Sequence, residues 1–191
     1  MSKPIFLCDV DGVVADFLNP AVDVINRIAG TSHRAEDLKT WNTIDGFGVQ
    51  THEKAIYAEL GREGFCRSLP VASGAREAVR ELMKLTDLYF VTAPMHSSPT
   101  WVYERSAWLA EHFGAKLNQI VHTSAKHIIR GDFFLDDRPD HVLKWFDRNM
   151  SHVSILWHQP YNADADVRPG VRFHEWQQVL DVVEFSRKGI R

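Results

Sequence analysis

The sequence predicts an α/β fold: a Rossmann-like parallel sheet with helices on both faces and a small, mainly helical cap inserted after the first strand. Three observations carry this. Short, nearly all-apolar, β-prone runs recur along the chain, stretches of helical periodicity separate them, and one region from Phe17 to Leu69 breaks the alternation.

The strands come first because each is apolar throughout, as a strand buried on both faces must be. They are Ile5 to Cys8, Leu88 to Val91, Phe133 to Leu135 and Val153 to Trp157. Between them, Ala75 to Leu85 puts Ala75, Ala78, Val79, Leu82 and Met83 on one stripe, and Trp101 to Phe113 repeats the device with Trp108, Leu109 and Phe113. Gly114 stands where a left-handed residue would stop that helix. A helix from about Phe173 to Phe185 is expected to close the chain. The irregular region holds helical pieces at Ala21 to Ile28 and Lys54 to Leu60 around a Gly46-Phe47-Gly48 turn. The predicted organisation is therefore a core of residues 1–16 and 70–191 with a cap of residues 17–69.

Composition narrows the function. A chain of 191 residues with 45% hydrophobic and 25% charged residues can bury a real core and needs no disulfide scaffold. A net charge of -3 provides no basic face for a nucleic-acid polymer, while a small anion needs only a locally positive pocket. Asp9 and Asp11 interrupt the first apolar run long before a signal core or membrane span could form, so no membrane partner is expected. Cys8 and Cys66 sit in unrelated contexts and suggest a reducing, cytoplasmic setting.

The chemistry is concentrated in carboxylates. Asp9-Val10-Asp11-Gly12 follows the first strand directly, at the carboxyl end, where open α/β sheets bind ligands. If the strand continues, Asp9 and Asp11 point the same way, and Gly12 permits a sharp turn whose amides could approach a phosphate. Asp136-Asp137 ends a second strand in the same fashion. In one parallel sheet these acids converge, and like charges that close call for a cation. Magnesium suits an all-oxygen site that shares its ion with a phosphate. Thr92, at the end of a third strand, offers a hydroxyl and the amide of Ala93. Lys126 could neutralise both an attacking aspartate and a phosphoryl group.

This order of DxDG, strand-end Thr, Lys and DD resembles the haloacid dehalogenase superfamily of phosphotransferases. Asp9 to Phe17, Tyr103 to Gly114 and Phe134 to Pro139 are similar to segments of the cytosolic and mitochondrial 5'(3')-deoxyribonucleotidase family, and Val171 to Val183 loosely fits its closing helix. The resemblance covers most of the core and is weakest from about Gly30 to Arg67. It implies that Asp9 is a nucleophile forming an aspartyl-phosphate, and that Asp11 protonates the leaving oxygen and then activates water. It also implies that Thr92, Ala93 and Lys126 bind phosphate. Magnesium would be held by Asp9, the Asp11 carbonyl and Asp136, with Asp137 acting through a coordinated water. In that family a serine commonly follows the motif threonine, whereas this chain has Ala93 and Pro94.

A substrate that is a nucleoside monophosphate would be enclosed by aromatic walls from the cap, for which Phe17, Trp41 and Phe47 are the candidates. Arg34, Arg62 and Arg67 could attract an anion from the cap. Trp157 to Asn162 is read as an exposed loop, with a place on the active-site rim as the alternative. The histidines show no paired zinc spacing. The partners expected are thus a small phosphate ester and, as an open option, a second copy in a homodimer. A phosphatase of another metabolite and a non-catalytic phospholigand-binding module are the competing readings.

Overall fold

The computed structural model describes residues 2–149 and 152–189. Six strands, β1 (Ile5–Cys8), β2 (Asp87–Thr92), β3 (Ile120–His122), β4 (Phe133–Asp136), β5 (Val153–Trp157) and β6 (Val171–Phe173), form one wholly parallel sheet in the order β3-β2-β1-β4-β5-β6. That order reverses direction beside β1, so the crevice at its carboxyl edge is where such sheets take ligands.

The alternation of side chains across the pleat explains the two-sided core. Phe6, Cys8, Phe90, Leu135 and Ile155 face one way, toward α4 (Ala75–Leu85), α5 (Trp101–Phe113) and α7 (Trp176–Gly189). Leu7, Val91, Phe134 and Leu156 face the other, where α6 (Pro139–Arg148) contributes Val142 and Trp145. Each large aliphatic or Phe side chain so buried contributes roughly 1.5–3 kcal/mol. The α5 helix stops as expected: Gly114 takes φ 66° and its amide donates to the Ala110 carbonyl at 3.0 Å.

Between β1 and β2 the chain is almost entirely helix and turn: α1 (Leu18–Ala29), α2 (Thr43–Gly46), α3 (Glu53–Leu60) and short 3-10 turns. These bury Val22, Ile25, Ile44, Ile56 and Leu60 in a cluster of their own, which Trp101 of α5 joins. Its two ends are tied together: Asp16 N donates to Pro70 O at 2.9 Å and Ala72 N to Val14 O at 2.9 Å.

Three elements differ from expectation. β3 was not foreseen as a strand. Phe173 belongs to β6, paired with Trp157, and the last helix begins only at Trp176, while Phe185 is exposed. A three-residue edge strand leaves too few positions for alternation to show. The α6 helix was also unforeseen, although Pro139 at its first turn and Asp140 beside it are start signals. Among the described residues no helix is long and apolar enough to cross a membrane.

Candidate active site

The registers bring the two acidic motifs side by side. Cys8 pairs with Leu135, and the amide of Asp9 donates to the Leu135 carbonyl at 2.8 Å, so Asp9 leaves β1 next to Asp136, the last residue of β4. Asp9, Asp136 and Asp137 are all buried, and each offers an oxygen within 4.8 Å of the others. Lys126, from the turn before β4, reaches in with Nζ 2.6 Å from Asp9 Oδ1 and 2.8 Å from Asp136 Oδ2. Asp136 Oδ1 accepts from the Arg138 amide at 2.8 Å, and His141 Nδ1 lies 3.1 Å from Oδ2.

Three buried carboxylates with one ammonium among them leave negative charge uncompensated. Burial and the charge of Asp136 push the Asp9 carboxyl up to about 7, although Lys126 acts in the opposite sense. Burial and the charges of Asp9 and Asp136 hold Asp137 well above the usual carboxylate range, against the Tyr161 hydrogen bond. At Asp136 burial also opposes ionisation, but Lys126 and His141 outweigh it and hold that carboxyl far below its ordinary value. The Lys126 ammonium is reinforced, since Asp136 and Asp9 more than offset its burial. An oxygen-only donor set with surplus negative charge fits a hard divalent cation.

Past Asp9 the strand does not continue. The Val10 carbonyl accepts from the amides of Val13, Val14 and Ala15 at 3.2, 3.0 and 2.8 Å, and Gly12 N donates to Ala15 O at 2.9 Å. Asp9 and Asp11 therefore meet different partners, Lys126 and Arg105, rather than sharing one strand face. The amides of residues 12–15 are spent inside the turn and are not free to meet a phosphate. Gly12 itself takes φ 76°, and a Cβ there would collide with the Asp137 carboxylate and the Tyr161 hydroxyl.

A cleft of about 550 Å³ opens over this cluster, the size of a small-molecule site. Asp9, Asp11, Phe17, Trp41, Ala93 and Lys126 line it, as does Asp137. Asp136 lies fully buried behind them. Thr92 is also fully buried, and its hydroxyl has no hydrogen-bond partner among the described residues. Phe17 meets Phe65 and Trp101 edge-on, at 6.2 and 6.4 Å. The face of Trp41 carries the Arg138 guanidinium at 3.9 Å.

Phe47 is a correction. It is buried in the cluster formed by α1, α2 and α3, stacked on His33 at 4.5 Å, and is not part of the cleft wall. The arginines that the sequence offered for attracting an anion are likewise engaged elsewhere: Arg34 with Glu36, Arg62 with Glu59 and Arg67 with Glu111. Besides Lys126, the cleft is lined by Arg138 and Lys144, both paired with Asp140.

Two contributors escaped the sequence reading, and a third was read there only as the alternative. The segment read as an exposed loop after β5 is part of the site: Tyr161 donates a short hydrogen bond to Asp137, Asn162 Nδ2 donates to the Asp137 carbonyl at 2.7 Å, and Gln159 Nε2 donates to the Gly12 carbonyl at 2.6 Å. His141 gave no signal, since the helix that carries it was itself unforeseen. Arg105, completely buried, is ion-paired with Asp11. Its hints were its aromatic neighbours and its place in Tyr103 to Gly114, one of the segments that resemble the family.

Comparison with known proteins covers most of the chain. The family model described as "5' nucleotidase, deoxy (Pyrimidine), cytosolic type C protein" matches residues 3–188. The chain is 31% identical over 183 residues to a Bordetella parapertussis protein named as a candidate 5'(3')-deoxyribonucleotidase, covering 92% of this chain and 95% of that one. It is 32% identical over 188 residues to the mouse mitochondrial 5'(3')-deoxyribonucleotidase, covering 92% and 84%. Among solved structures, a candidate HAD-hydrolase from Bacillus subtilis, bound to magnesium, superposes with a TM-score of 0.57 at 15% identity, covering 96% of this chain and 99% of that one.

Proposed function

Because the chain belongs to the 5'(3')-deoxyribonucleotidase family of haloacid dehalogenase-like phosphatases, and is thus a phosphoric monoester hydrolase, we propose that it removes the phosphate of (deoxy)ribonucleoside 5'-monophosphates through an aspartyl-phosphate on Asp9. One observation carries the reading: the convergence of Asp9, Asp136 and Asp137 around Lys126 at the floor of an open cleft.

In this reading a carboxylate oxygen of Asp9 attacks phosphorus while Lys126 neutralises the equatorial oxygens. The unpartnered Thr92 hydroxyl and the Ala93 amide give a phosphate oxygen its remaining donors. Asp11 protonates the departing ester oxygen and then takes a proton from the water that releases phosphate. Asp9, Asp136 and the Asp11 carbonyl would hold magnesium, with Asp137 steered by Tyr161. When bound, the ion supplies the positive charge that lets an anionic nucleophile approach an anionic ester. The magnesium of the Bacillus protein is consistent with this assignment. Phe17 and Trp41 are the cap aromatics for a base, and residues 17–69 act as the cap over a core of residues 1–16 and 70–191. A cytoplasmic location stays part of this proposal, since the mouse relative is named for the mitochondrion.

Incubation of the purified protein and magnesium with nucleoside 5'-monophosphates and sugar phosphates tests the substrate. Phosphate release is expected to be fastest from the deoxyribonucleotides. Release from sugar phosphates but not from nucleotides would overturn the assignment.

The ion has a pH signature. With its carboxyl raised from an ordinary value of 3.8 to about 7, metal-free Asp9 binds a proton more tightly folded than unfolded. Its contribution to stability therefore declines as pH rises from about 4 to 7. Magnesium must displace that proton below pH 7 and meets a ready carboxylate above it. Added magnesium is expected to raise Tm more at pH 8 than at pH 6, by linkage to the folded state. Equal shifts at the two pH values, or none, would count against Asp9 as a ligand.

A further inference from the structure

Arg105 is a fully buried cationic side chain at this site that neither the ion nor the phosphate accounts for. It is completely buried in α5, yet it spends Nη2 on the carboxylate of Asp11, which lines the cleft. Its guanidinium sits 5.4 Å from the ring of Trp101 and 5.2 Å from that of Trp108. Trp108 is itself fixed, donating from Nε1 to the Leu69 carbonyl at 2.8 Å. The remaining donors on Nε and Nη1 have no hydrogen-bond partner among the described residues. A buried arginine kept for stability normally satisfies most of its donors. This one lies beside two indoles and is directed at a single acid.

The neighbouring residue shows why α5 can aim it. Glu104 accepts from the amides of Gly64 at 2.9 Å and Arg67 at 3.1 Å and from the Thr100 hydroxyl at 2.6 Å. One turn of helix is thereby fastened to the returning end of the cap, and Arg105 projects from that fastened turn.

The geometry points to Arg105 as a positioning residue that holds Asp11 Oδ1, so that Oδ2 trades the proton in both halves of the reaction. This rests on the proposed function and adds to it. In the first half the Asp9–phosphorus bond forms as the phosphorus–ester bond breaks, and the ester oxygen takes the Asp11 proton. In the second, a water oxygen bonds to phosphorus, Asp9 leaves, and the water proton passes to Asp11. A loosely held Asp11 would slow each proton transfer and leave phosphoryl capture by Asp9 intact.

The dependence on leaving group tests this. Pre-steady-state bursts are measured with magnesium on a nucleoside 5'-monophosphate, whose alcohol must be protonated, and on p-nitrophenyl phosphate, whose phenolate need not be. In Arg105→Met the nucleoside burst is expected to slow by about 100-fold, the scale of general acid catalysis, while the nitrophenolate burst stays within about threefold of wild type. Steady-state hydrolysis of the aryl ester slows with its second half. Arg105→Lys keeps the charge but not the guanidinium that reaches Asp11, and is expected to lose about tenfold on the nucleoside burst alone. If Arg105→Met does not fold, the Lys variant decides by the same ratio. Parallel loss on both bursts, or no loss on either, would overturn the inference. Asp9→Asn serves as the control, since a surviving burst there contradicts the phosphoenzyme reading itself.

Discussion

Asp9→Asn is expected to lose phosphate release by on the order of 10⁴-fold or more, the scale on which an enzyme loses its nucleophile, while thermal melting and circular dichroism remain those of a folded protein. The amide keeps the shape of the carboxylate but has no anionic oxygen for phosphorus. It also removes one of the three crowded acids, so folding loses little: Lys126 retains Asp136 at 2.8 Å. Residual activity within about tenfold of wild type would mean that water, or another side chain, attacks the ester.

Lys126→Met carries the second large effect, and it should appear in both stability and rate. Lys126 is buried with two carboxylates, and breaking a buried ion pair by removing one partner costs about 3–5 kcal/mol when the remaining charge has no outlet. Here there is an outlet, because Asp9 already holds its proton more tightly than an ordinary aspartate and Lys126 is what restrains that tendency. The variant is therefore expected to melt well below wild type at pH 8, to recover part of the loss at pH 6, and to recover part with magnesium. Activity should fall by about 10²–10³-fold, as when one preorganised charge is removed from a transferring group. Melting and initial rates at the two pH values check this. A variant with wild-type Tm and rate throughout would show Lys126 to be a bystander.

The parts of this site readable in the sequence are those where one residue type does an unusual thing in an obvious place. Two acidic pairs at the ends of apolar strands had to lie on one edge once the sheet was parallel, and the pairing of β1 with β4, Cys8 against Leu135, makes them neighbours. Strands β3 and β6 were not readable because three residues give no periodicity. The direction of a side chain on an irregular segment was not readable either. Phe47 and Trp41 lie six residues apart, yet one is core and the other lines the cleft under Arg138. Arg105 defeated the pattern for a different reason. Charged residues on an amphipathic helix normally mark its wet face, and α5 instead buries Glu104 and Arg105 with Trp101 and Trp108 because each charge meets its partner inside. The turn after Asp9 was hidden by the same logic in reverse: Val13 and Val14 look like strand, but their amides close a loop onto Val10.

The central claim is that Asp9 is transiently phosphorylated. Rapid acid quenching of the protein during turnover of a nucleoside 5'-monophosphate with magnesium, followed by mass spectrometry of the peptide bearing Asp9, addresses it directly. The account predicts an acid-stable, hydroxylamine-sensitive phosphate on Asp9 that appears within the first turnover and is absent from Asp9→Asn. Steady turnover with Asp9 unmodified at every quench time would contradict it.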